Sequence, residues 1–132
     1  MAEQDKLTPV EWEMMEAVWS LGGSPSVRDV LEYAFPNGEK AYTTVQTVMN
    51  TLERKGFLGR KKTGMVNFYT PVRSRDEMER EEMSSIVSRI FGGSKPALAS
   101  SLLSLDGLEL EEIEQIKEIL ARREKELKED PE

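Results

Sequence analysis

Apolar residues recur at helical spacing in six blocks along the chain, interrupted once by two short β-rich runs. The first block opens with Thr8-Pro9-Val10-Glu11, which supplies a hydroxyl N-cap, Pro at the first helical position and Glu at N3. Val10, Met14, Ala17, Val18 and Leu21 then share one face, Trp12, Met15 and Trp19 form a second apolar stripe, and Gly22-Gly23 stops the helix. Ser26 with Asp29 opens a second helix whose buried face is Val27, Val30, Leu31 and Ala34; "FPNGEK" closes it with turn chemistry. Extended residues around Ser24-Pro25 offer a short strand. The third helix runs from about Thr43 to Lys55, ended by Gly56. With Thr43 at zero and about 100° per residue, Val45, Val48, Met49 and Leu52 cluster between roughly 140° and 240°. Thr43, Thr47, Asn50 and Arg54 lie within about 40° of zero, flanked by Thr44, Gln46 and Thr51.

Leu58–Lys62 and Met65–Thr70 are β-rich and joined at Thr63-Gly64, which predicts a hairpin with a basic tip. Ser74 with Glu77 caps a long helix to Phe91, with Met83, Ile86, Val87, Ile90 and Phe91 on one face. "GGSKP" breaks it. A short helix from Pro96 to about Leu103 follows. The last runs from about Leu110 to Lys128, carries Leu110, Ile113, Ile116, Ile119 and Leu120 on one side, and ends in a frayed "KEDPE" tail.

The predicted class is mainly α with a small β-hairpin. Helix, helix, helix, hairpin is the winged helix-turn-helix plan, with the third helix in the recognition position and the hairpin as wing. Residues 1–73 form that domain, and residues 74–132 form a helical module. Three amphipathic helices in about sixty residues make a thin core, so their apolar stripes need a further surface. Dimerisation across a two-fold axis covers them, through Ile86, Ile90, Phe91, Leu98, Leu102, Ile113, Ile116 and Leu120. Folding back onto the N-terminal half is the alternative.

Composition narrows the functions. The 132 residues include no Cys and no His, which removes disulfides, thiolate metal sites and every His-dependent catalytic device. No calcium loop or Gly-rich phosphate loop occurs, so neither a metal, a cofactor nor an enzyme activity is expected. No apolar run reaches the ~20 residues of a membrane helix. The start has neither a basic n-region nor an apolar h-region, so no signal peptide is expected and a cytoplasmic location follows.

The net charge of -7 is unevenly held. Residues 1–73 carry nine Lys+Arg and nine Asp+Glu, whereas residues 74–132 carry nine and sixteen. Between positions 40 and 73 stand seven basic residues against Glu53 alone, a local +6. Such asymmetry points to a polyanion partner, with the acidic C-terminal half kept from the duplex by repulsion. Thr offers a hydroxyl and a methyl, Asn and Gln can pair bidentately with adenine, and Arg with guanine. Thr43, Thr44, Gln46, Thr47 and Asn50 therefore form the expected reading face. Lys40, Arg54, Lys55, Arg60, Lys61 and Lys62 are expected at phosphates, setting affinity and register. Thr at three of these helix positions costs propensity relative to Glu or Lys, so something other than helix stability selects it. The expected partner is double-stranded DNA. A protein–protein adaptor on the same fold is the alternative, but an adaptor has no need of a carboxylate-poor helix beside a +6 segment.

"LTPVEWEMMEAVW", "SVRDVLEYA", "AYTTVQTVMNTLERKGFLGRKKTG", "FYTP", "RIFGGSKPALASSLLS" and "LEEIEQIKEIL" together resemble the penicillinase-repressor (BlaI/MecI/CopY) family of winged-helix transcriptional regulators. The resemblance spans roughly Leu7 to Lys125 and implies a homodimeric repressor on a palindromic operator, with the C-terminal helices as dimerisation module. By position it puts Thr43, Thr44, Gln46 and Thr47 at the reading sites and Arg60, Lys61 and Lys62 in the wing. Copper-responsive members carry a cysteine-rich motif that this chain lacks. Antibiotic-responsive members are cut by a regulatory protease at an Asn-Phe bond after the double glycine. The matching place here is Ser101-Leu102, a departure that counts against cleavage by a protease of that specificity.

Overall fold

A computed structural model describes residues 6–130. The opening residues (where no signal peptide is expected) and the last two of the tail lie outside the described residues. The order is α1 (Pro9–Leu21), α2 (Val27–Ala34), α3 (Tyr42–Arg54), β1 (Leu58–Thr63), β2 (Val66–Pro71), α4 (Arg75–Phe91), α5 (Lys95–Leu103) and α6 (Leu110–Glu129).

Local chemistry sets the helix starts. Thr8 and Glu11 close a reciprocal capping box on α1, Ser26 and Asp29 do so on α2, and Ser74 and Glu77 on α4. Both stripes of α1 reach the interior except at Leu21, which is exposed at the end of the helix: Met14, Met15, Ala17 and Val18 are buried, and Trp12 and Trp19 pack against the core with ring centroids 6.1 Å apart. The apolar face of α3 joins them through Val45, Met49 and Leu52. Val27 and Val30 of α2, Leu58 of β1 and Tyr69 of β2 belong to the same core.

The strands pair antiparallel from Leu58↔Pro71 to Thr63↔Val66. The turn is thus Gly64-Met65, one residue later than the sequence pattern gives. Gly64 has φ +64°, which suits the first central position of a two-residue hairpin turn and strains any residue with a Cβ. The extended residues near Pro25 form one bridge, Ser26↔Phe68, with the Tyr69 N–H donating to the Pro25 carbonyl at 2.9 Å.

The chain divides into two compact units between Glu82 and Met83, inside α4, later than residue 73. The reason is Met78: the start of α4 places it in the core of the first unit at 5% exposure. The Trp19 indole N–H donates to the Arg73 carbonyl, and Arg75 pairs with Glu16, which ties this junction to α1.

The second unit is different in kind. Ile86, Phe91, Leu98, Ile113 and Ile116 are half-buried, while Ile90, Leu102 and Leu120 are exposed. No described residue from Met83 onward is buried. Among the described residues, no helix is long and apolar enough to cross a membrane.

Candidate nucleic-acid interface

The candidate site is built on α3 and the β1–β2 hairpin. Burial of Val45, Met49 and Leu52 fixes the rotation of α3 and turns the opposite side outward. Thr43, Thr44 and Thr47 are exposed there, and Gln46, Asn50 and Thr51 are half-exposed. The helix begins at Ala41, which has no side chain to cap the first N–H groups. It has no acidic residue in its first turn and ends with Arg54, whose guanidinium donates to Thr51 Oγ1 at 3.2 Å.

Alternation along the hairpin sorts the basic residues. Leu58, Arg60 and Lys62 share one face, with Tyr69 and Asn67 opposite Arg60 and Lys62 in register. Leu58 and Tyr69 are buried, so this is the face turned to the core and α3. Lys61 stands on the other face, paired with Phe68. All three cations are exposed. Tyr69 is fully buried, yet its hydroxyl reaches α3 and donates to Asn50 Oδ1 at 2.7 Å. Burial pushes the Tyr69 phenol above its ordinary value, partly opposed by the neighbouring Arg60 guanidinium.

The structure commits one expected phosphate contact elsewhere and partly engages another. Lys55 is committed inward: its Nζ lies 2.9 Å from Glu11 Oε1 and 3.3 Å from the Lys6 carbonyl, with its side chain only 24% exposed. Glu11 is 7% exposed. Burial alone would raise its pKa, but the Thr8 N–H and the Lys55 ammonium outweigh that and hold it below the ordinary value. An ammonium needed by a buried carboxylate is a poor phosphate ligand, so Lys55 leaves the site as sequence spacing drew it. Lys40 is half-buried, with its Nζ over the Phe35 ring at 5.6 Å from the centroid; it keeps its charge near the start of α3 but is partly engaged.

One cation is added. Arg28, exposed on the first turn of α2, lies over the Tyr42 ring at 5.2 Å and so stands beside the start of α3. It falls outside the basic segment 40–73, and only the packing of α2 on α3 brings it there. Among the described residues, no group of acidic side chains is arranged to hold a metal ion.

Comparison with known proteins gives one answer. The penicillinase repressor family model matches residues 7–122. An "Uncharacterized 16.5 kDa protein in ptsI 3'region" of Latilactobacillus sakei is 30% identical over 124 residues, covering 93% of this chain and 84% of its own. The methicillin resistance regulatory protein MecI of Staphylococcus aureus (strain N315) is 21% identical over 118 residues, covering 89% and 95%. The penicillinase repressor of Bacillus licheniformis is 26% identical over 120 residues, covering 91% and 93%.

Proposed function

The chain belongs to the penicillinase repressor family, and from that premise we propose that it is a homodimeric transcriptional repressor that occupies a palindromic DNA operator. The N-terminal winged helix binds DNA, and the helical C-terminal part dimerises. Each protomer lays α3 in a major groove, where Thr43, Thr44, Gln46, Thr47 and Asn50 meet base edges. Arg54, Arg60, Lys61 and Lys62, with Arg28 and Lys40, meet phosphates and fix the register. Half-sites lie about one helical turn apart or a multiple of it.

The observation that carries this reading is the outer side of α3. It is a ridge of hydroxyls and amides, uncovered by the unit's own core and flanked by cations. Dimerisation draws support from the second unit, whose apolar residues Ile90, Leu102 and Leu120 stay at least half exposed in the single chain. Ser101 and Leu102 lie within the helical turns of α5, so a regulatory protease acting there would first have to open that helix.

The test begins with selection of bound genomic fragments and inspection for an inverted repeat. The Thr44→Ala/Thr47→Ala double variant should then reduce the preference for the selected fragment over scrambled duplex by about tenfold or more, with melting temperature and dimer unchanged. An unchanged preference would remove the reading role from α3.

A further inference from the structure

The hydrogen bond between Tyr69 and Asn50 joins the wing to the reading helix across 19 residues of sequence. The Tyr69 ring is a core group at 0% exposure, and a phenylalanine ring would fill the same space. The hydroxyl therefore needs its own reason, and its one hydrogen-bond partner among the described side chains is Asn50 Oδ1 at 2.7 Å. Arg60 is directly opposite Tyr69 in the hairpin, and a guanidinium has hydrogens to donate but no atom that accepts one. The phenol's hydrogen therefore goes to an acceptor on α3. That requirement selects the carbonyl end of Asn50 and turns away its NH₂ end. No described protein group takes the Asn50 amide hydrogens.

We propose that Tyr69 is a positioning residue for base recognition, holding the Asn50 carbonyl toward the wing and turning its amide hydrogens to DNA. This rests on the DNA-binding reading above and sharpens it. An unconstrained asparagine pairs with adenine through both ends, accepting from N6 and donating to N7. Asn50 with its carbonyl engaged instead favours a base edge that only accepts: guanine, with O6 and N7, or thymine, with O4. At one position of each half-site, specificity is thus set from β2, by a residue that never touches the duplex.

The experiment measures competitive affinities for a set of operator duplexes, each with one base pair of the half-site changed, for the full-length protein and its variants. The wild type should prefer guanine or thymine over adenine by about tenfold at one position. Tyr69→Phe should lose or invert that preference and leave the other positions, the salt dependence and the dimer unchanged. A purely structural role for the hydroxyl would lower the melting temperature and leave the base profile intact. Asn50→Asp provides a second route that does not touch the core. It keeps an acceptor for Tyr69 but presents an acceptor outward, so preference at that position should move to cytosine or adenine, whose exocyclic amines donate. A discriminating wild type whose profile survives Tyr69→Phe but shifts with Asn50→Asp overturns the role of Tyr69 alone, and one whose profile survives both removes Asn50 from the reading face as well. A wild type that discriminates no sequence overturns the DNA reading itself.

Discussion

The two units of this molecule use the same local devices and reach different ends. In the first, three helices and the hairpin converge on Met14, Met15, Val45, Met49, Leu52, Leu58 and Tyr69, all fully or almost fully buried. In the second, α5 starts on a Ser94 cap and α6 on a Glu109–Glu112 box, yet neither helix buries a residue. Capping and periodicity thus specify a helix without specifying what covers it. A cap satisfies N–H groups within its own turn, but an apolar stripe is stabilised only by a second surface. The first unit supplies that surface from its own chain. The second leaves Leu110 at 82% exposure and Leu120 at 63%.

The largest expected effect sets the units against each other directly. Leu52→Ala opens a cavity in the first core and should cost about 2–5 kcal/mol in denaturant unfolding, at any protein concentration. Ile116→Asp should leave the core of the first unit intact and abolish self-association, read by sedimentation equilibrium, with melting no longer dependent on concentration. Self-association that survives Ile116→Asp breaks the contrast.

A smaller effect comes from the Glu11–Lys55 pair. Lys55→Met strands a buried carboxylate and should cost about 1–3 kcal/mol. The sign of its pH dependence follows from Glu11. Its pKa is lower folded than the ordinary 4.5, so the pair's contribution is present above that pH and is lost as pH falls through the folded value. The gap between wild type and variant should therefore narrow on acidification, as followed by thermal melts.

The smallest change sharpens the boundary of the candidate site. Arg60→Ala and Lys62→Ala should each flatten the plot of log affinity against log salt by ~0.9 per protomer, whereas Lys55→Met should leave its slope unchanged. A slope that responds to Lys55 instead would return that residue to the phosphate set.

Much of this fold is legible in the one-dimensional pattern. The starts of α1, α2 and α4 follow from hydroxyl–carboxylate pairs three residues apart, the buried face of α3 follows from its 3.6-residue period, and the hairpin follows from β-rich runs around a glycine. The turn shifted by one residue because Thr63 can still pair with Val66, and only Gly64 tolerates the positive φ that follows. Met78 escaped notice because a lone methionine in the charged start of α4 has no periodic partner; its burial depends on the core it joins in the fold.

What the sequence determined by itself is local and periodic: where α1, α2 and α4 are capped, which side of α3 faces outward, and that positive charge gathers between positions 40 and 73. What only the tertiary structure decided is how equivalent-looking polar groups divide their work. Lys55 and Lys62 are indistinguishable as charges along the chain. Yet one meets a buried carboxylate 44 residues away and the other meets solvent. Asn50 is an outward amide by period, but a phenol from β2 decides which of its ends is free. Hydrogen bonds and ion pairs reach only about 3 Å, so their partners are fixed by three-dimensional packing, which periodicity along the chain cannot encode.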